Sequence, residues 1–151
     1  MSKRVEIAER YLHVREQPAG SNRGPEIDRW LKALGSPLGS AWCAAFVWGV
    51  LDEAQERPSL PRSGRVQTMV DGGVLLPMNK AVEGDLIVFY FKNLGRYAHI
   101  AICTARSKAR ISTIDGNSIA DGAAGDQREG WGCFAKTRTI SDRIKVLRPK
   151  P

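Results

Sequence analysis

The apolar residues of this chain change their spacing near residue 72, and that change limits the fold more than any other feature. Before it they recur at helical intervals; after it they fall in short β-like blocks. Val5, Ala8 and Leu12 mark one stripe, flanked by Ile7, Tyr11 and Val14, and predict a helix over residues 3–15. A second helix has Pro25 near its first position and Gly35 just past its end, the usual asymmetry of helix termini. Phe46, Val47, Val50, Leu51 and Ala54 predict a third, with Ser40 as N-cap and an end near Arg57-Pro58. Val66, Met69 and Val70 predict a short helix ending at Gly72-Gly73. Strands are then predicted over residues 86–91, 98–104, 110–115, 134–140 and 143–147, with a long Gly-, Ala- and Asp-rich loop over 118–132. Helices first and strands later give an α+β fold, with N-terminal helices packed on an antiparallel sheet of about five strands.

The 151 residues are expected to form one domain. Three cysteines, Cys43, Cys103 and Cys133, are the wrong number and too widely spaced for a disulfide framework. Without a C-x-x-C pair, structural zinc is not expected either. Free thiols point to synthesis in a reducing compartment. The charged opening Met-Ser-Lys-Arg-Val-Glu lacks the apolar core of a secretory signal. No apolar run approaches the length of a membrane span. The 23 Lys and Arg against 16 Asp and Glu give a net charge of +7, which favours polyanionic partners, either nucleic acid or an acidic envelope polymer. There is no basic helix, zinc finger or aromatic RNA-binding signature, so no nucleic-acid partner is expected. Most of the charge reads as a solvated surface, densest at Arg106–Arg110 and Arg143–Lys150.

Cys43 falls in the first turn of the third predicted helix, at the positive end of its dipole, where a thiolate is favoured. Taken alone, the stretch serves equally well for a buried cysteine that fills space. The chain has two histidines. His13, among Leu12, Val14 and Arg15, reads as a partly exposed helix residue; His99 opens an apolar strand, an odd place for a ring chosen only for packing. The following strand ends in Asp115-Gly116-Asn117, and residues two apart share a face of a strand. Either Asp115 or Asn117 could therefore accept the His99 ring N–H. The same tripeptide is also good turn chemistry. Together, Cys43, His99 and Asp115 or Asn117 are the nucleophile, base and orienter of a cysteine hydrolase. Cys103 and Cys133 read as structural, and a zinc site from the three cysteines and His99 has unconvincing spacing.

Five segments carry a resemblance to a known family: Gly24-Pro-Glu-Ile-Asp-Arg-Trp30, Ala41-Trp-Cys-Ala-Ala-Phe-Val47, Glu83-Gly-Asp-Leu-Ile-Val-Phe89, Ala98-His-Ile-Ala-Ile102 and Thr113-Ile-Asp-Gly-Asn117. In this order they resemble a CHAP domain, the cysteine, histidine-dependent amidohydrolase/peptidase family. The resemblance covers roughly residues 16–140. It implies a papain-like fold, one CHAP-like catalytic domain over 1–151, and cleavage of peptidoglycan as an amidase or endopeptidase. It also implies Cys43 as nucleophile and His99 as base. Asp115 stands where the family commonly has Glu, and Asn117 where it often has Asn. Many relatives carry Gln before the cysteine, with an amide that helps bind the oxyanion. Trp42 stands there, so it becomes the candidate substrate-binding or oxyanion residue, with the Cys43 backbone N–H as the donor that remains. Some relatives bind calcium, but no Asp-x-Asp loop resembles such a site, and Asp121 and Asp126 read as solvated. No metal or cofactor is expected.

The expected partner is bacterial cell-wall peptidoglycan, reached by lysis, phage delivery or dedicated secretion, as for a phage lysin or antibacterial effector. A monomer is the default, with the oligomeric state left open. The rival readings are a cysteine protease or deamidase acting on protein, and a non-catalytic wall-binding relative.

Overall fold

A computed structural model describes residues 2–119 and 130–151 of the chain. Helix α1 (Lys3–Glu9) starts at Ser2, whose hydroxyl accepts the Val5 N–H at 3.2 Å, a standard N-cap. It is shorter than its apolar stripe predicts. After Glu9 the chain tightens into turns, with Tyr11 N–H donating to the Ala8 carbonyl and Val14 N–H to that of Tyr11. It then pairs with the far end of the molecule: Cys133 N–H donates to the Val14 carbonyl and Glu16 N–H to that of Trp131. That strand-like pairing ends the helix. Helix α2 (Pro25–Leu34) runs from Pro25 at its start to Gly35, which closes it in the left-handed region at φ 75°.

Helix α3 (Cys43–Glu53) is the centre of the packing, touching α1, α2 and two strands of the sheet. Residues 43–48, Val50 and Leu51 are buried, as expected of a helix that is apolar on every side. Its N-cap is Trp42, without a side-chain cap; the Ser40 hydroxyl instead donates to the Pro37 carbonyl at 2.6 Å. Ser40 closes the preceding turn, so the expected serine cap is not formed. Helix α4 (Val66–Asp71) leads into the sheet.

The sheet has six antiparallel strands: β1 (Gly73–Leu76), β2 (Leu86–Phe91), β3 (Arg96–Arg106), β4 (Arg110–Ser118), β5 (Gly132–Thr139) and β6 (Ile144–Pro149), in the order β1-β6-β2-β3-β4-β5. A 3-10 turn at Met78–Lys80 joins β1 to the rest. The fold is thus the α+β arrangement expected, with one strand more. Alternation along the strands divides the interior. Leu86, Val88, Ile100, Ile102, Ile114 and Leu147 join the helices in the main core. Ile87, Phe89, Ala101, Cys103, Ile111, Ile144 and Val146 form a second core. Most of the predicted loop over 118–132 lies outside the described residues.

Candidate active site

Cys43 is the first residue of α3 and is 4% exposed. The first hydrogen bond of the helix runs from Phe46 N–H to the Trp42 carbonyl at 2.9 Å. The N–H groups of Cys43, Ala44 and Ala45 therefore have no acceptor within the helix, and they carry its positive pole. The end of β4 is brought against this helix start by Gly116. A Cβ there would lie 2.6 Å from the Phe46 Cβ and 3.0 Å from the Trp42 ring. Only a residue without a side chain permits so close an approach, and it is flanked by Asp115 and Asn117.

His99 and Asp115 are both fully buried, and the His99 Nε2 lies 2.7 Å from Asp115 Oδ2. Burial disfavours the imidazolium. The hydrogen bond and charge of Asp115, joined by those of Cys43, outweigh it and push His99 up to about 9. Nδ1, the ring nitrogen not taken by Asp115, makes no hydrogen bond of good geometry with any described residue. With Nε2 committed to Asp115, Nδ1 is the ring atom left for the Cys43 sulfur. Burial likewise opposes ionisation of Asp115, but Arg138 and His99 hold its carboxyl well below the usual carboxylate range. Its other oxygen, Oδ1, accepts the Thr113 hydroxyl at 2.5 Å. The Phe89 ring stands 5.3 Å from the His99 ring, centre to centre.

Of the two orienters left open by the sequence, the imidazole meets Asp115. Asn117 does something else. Its Oδ1 accepts the Trp42 backbone N–H at 2.7 Å, and its Nδ2 donates to the Gly130 carbonyl at 2.8 Å. Asn117 has φ 55°, in the left-handed region that Asn tolerates better than most residues; the simple two-residue alternation ends there. Trp42, the candidate substrate-binding or oxyanion residue, is engaged inside the protein. Its side chain is fully buried and stacked on Trp30, its indole N–H donates to Glu16 Oε2 at 2.8 Å, and its backbone N–H is held by Asn117. Both N–H donors of Trp42 thus already have partners within the protein.

The remaining candidates stand apart. His13 lies in a turn beyond α1, its side chain 69% exposed and 3.6 Å from Glu26. Cys103 and Cys133 are buried thiols; burial and the Asp85 charge push Cys103 up to about 11, and burial pushes Cys133 well up. No group of three His, Cys, Asp or Glu among the described residues is arranged to hold a metal. Asp121 and Asp126 lie outside the described residues. Three residues of the site were not found from sequence: Thr113, Arg138 and Glu16. Thr113 was signalled by its two-residue spacing from Asp115 on the same strand. Arg138 lay on a predicted strand of unknown register, and Glu16 in a segment that reads as loop.

No family model matches this sequence, and no curated protein does. Solved structures match at the level of fold. RipD of Mycobacterium tuberculosis, described as a non-catalytic NlpC/p60 domain protein adapted to peptidoglycan binding, is 12% identical, with 97% of this chain and 94% of that chain covered at a TM-score of 0.50. The P60 domain of an antigen from M. avium subspecies paratuberculosis is 10% identical over 97% and 91% of the two chains, with a TM-score of 0.49. The endolysin LysIME-EF1 is 15% identical over 81% and 63%, with a TM-score of 0.46. The chain thus has the papain-like α+β fold of NlpC/p60 domains.

Proposed function

We propose that this chain is a single-domain cysteine hydrolase that cuts an amide bond of peptidoglycan, as an amidase or endopeptidase of CHAP type, with Cys43 as nucleophile, His99 as base and Asp115 as orienter. The observation that carries the reading is the buried His99 imidazole, held at Nε2 by Asp115 with Nδ1 uncommitted, in a fold whose buried helix α3 begins with Cys43. A protonated imidazole beside a sulfur at a helix N-terminus is the arrangement that makes a nucleophilic thiolate. The motif order and the net charge of +7, suited to an acidic envelope, support a wall substrate. Among the described residues no helix is long and apolar enough to cross a membrane.

The reaction follows from the parts. The sulfur attacks the amide carbonyl carbon, a C–S bond forms, and the oxygen becomes an oxyanion beside the free N–H groups that open α3. His99 gives its proton to the amide nitrogen as the C–N bond breaks, and the amine leaves. His99 then takes a proton from water, the hydroxide adds to the thioester, and the C–S bond breaks to release the acid. Asp115 keeps the ring in one orientation throughout.

The test is mass spectrometry of muropeptides released from purified sacculi. The wild type should release new amine or carboxyl ends, and Cys43→Ala none; an equally active Cys43→Ala protein would refute the proposal. A second reading, a non-catalytic wall binder, is favoured by the description of RipD. Iodoacetamide at neutral pH separates the two. A working site alkylates at Cys43 long before Cys103 or Cys133, whereas a silent one shows no such preference.

A further inference from the structure

The Asp115 carboxylate is gripped from a strand that carries none of the reacting groups. Arg138, on β5, pairs in register with Ile111, two residues before Thr113. Its side chain runs diagonally along that face, within the reach of long side chains on neighbouring strands. There Nη2 donates to Asp115 Oδ2 at 2.7 Å and Nη1 to Thr113 Oγ1 at 2.9 Å. Thr113 in turn donates to Asp115 Oδ1. Both carboxylate oxygens are thus tied into one ring of hydrogen bonds, and His99 meets that ring at Oδ2. The guanidinium carbon also lies 4.5 Å above the centre of the Phe89 ring, and Phe89 flanks His99.

We propose that Arg138 is the positioning residue of this site: its planar fork fixes the plane and rotamer of Asp115, and so sets the aim of the imidazole at the Cys43 sulfur. The inference rests on the Cys43–His99 reading above. A buried carboxylate facing a single imidazole could turn about its own Cα–Cβ bond. One N–H of the rigid guanidinium holds Oδ2 while the other orients the Thr113 hydroxyl that holds Oδ1, and together they oppose that rotation; a lysine, with a single compact ammonium, cannot reproduce the two-point fork. The described contacts of Arg138 are with Asp115, Thr113 and the Phe89 ring, not with Cys43 or His99. Its effect must pass through Asp115, and partly through the Phe89 wall.

The test compares Arg138→Met, Arg138→Lys, Asp115→Asn and the double variant Asp115→Asn/Arg138→Met, each checked for cooperative thermal unfolding. Two rates are read: turnover of solubilised peptidoglycan fragments, and alkylation of Cys43 by iodoacetamide. Arg138→Met should lower kcat by about 10²-fold, the scale of a small misplacement at a reacting centre, with KM little changed. Alkylation of Cys43 should slow in parallel, and Arg138→Lys should recover only part of the loss. In the Asp115→Asn background the Met substitution should add almost nothing, because the two residues act as one unit. Wild-type rates in Arg138→Met, full recovery in Arg138→Lys, or equal losses in both backgrounds would each overturn the proposal. Should Arg138→Met fail to fold, Arg138→Lys carries the same comparison with and without Asp115→Asn. Alkylation needs no wall substrate. If sacculi are untouched by the wild type, the hydrolase reading falls, while the alkylation rates still decide the role of Arg138.

Discussion

Two carboxylates are buried near the start of α3, and they are treated in opposite ways. Asp115 is fully buried between charged partners, His99 and Arg138, with a hydroxyl on its second oxygen. Glu16, 5% exposed, is met by neutral N–H groups: the Trp42 indole at 2.8 Å on one oxygen and the Gly20 backbone at 2.8 Å on the other. Charged partners make Asp115 part of a proton-handling unit, since its charge state and that of His99 depend on each other. Neutral donors make Glu16 a strut. It holds the tryptophan before Cys43 in place, and its hydrogen-bond partners among the described residues are uncharged. Burial of an acid therefore does not mark chemistry here; the nature of its partners does.

The contrast breaks most sharply under isosteric replacement. Asp115→Asn is expected to lower muropeptide release by about 10²–10⁴-fold, with the protein still folded by circular dichroism. A loss of only a few-fold would put Asp115 in the same class as Glu16.

The second expectation concerns pH. His99 is raised from 6.5 to about 9, so its contribution to stability is complete below pH 6.5 and is lost as pH rises through about 9. Asp115 is lowered from 3.8, so its contribution is present above that pH and fades in acid. The melting temperature should form a plateau between these limits and fall on the alkaline side, and His99→Gln should flatten that alkaline fall. An unchanged alkaline limb in His99→Gln would assign it to other groups.

The smallest effect on turnover is expected at Glu16. A glutamine there must point an NH2 at an existing N–H, which leaves one buried donor unpaired and costs about 1–3 kcal/mol. Urea unfolding should register that loss while turnover stays close to wild type. A collapse of activity without loss of stability would promote Glu16 from strut to machinery.

What could be read from the sequence followed local rules. The thiol at the start of a buried helix, the histidine on an apolar strand and the acid at the end of the next strand each follow from short-range periodicity; in the structure Cys43 opens α3 and His99 pairs with Asp115. What was not legible depends on pairing between distant segments. Arg138 acquires its partners from the β4–β5 register. Strand β1 is four residues without alternation and exists because β6 offers it an edge. The stripe of α1 continues past Glu9, but the backbone of residues 14–16 is drawn to the start of β5. Asn117 and Asp115 were equivalent on paper, and a positive φ at Asn117 separates them. Trp42 matched a position that in relatives carries an amide, but position does not reveal that both its donors are already committed.

Asn117 joins Trp42, the residue before Cys43, to Gly130, while Gly130 and Trp131 donate their N–H groups to the carbonyls of Asn117 and Ser118. These bonds tie the end of β4 to the chain just before β5, so residues 117–118 and 130–131 form one backbone clasp beside the start of α3. The backbone leading into Cys43 is therefore fastened to both segments at once, through a single amide side chain.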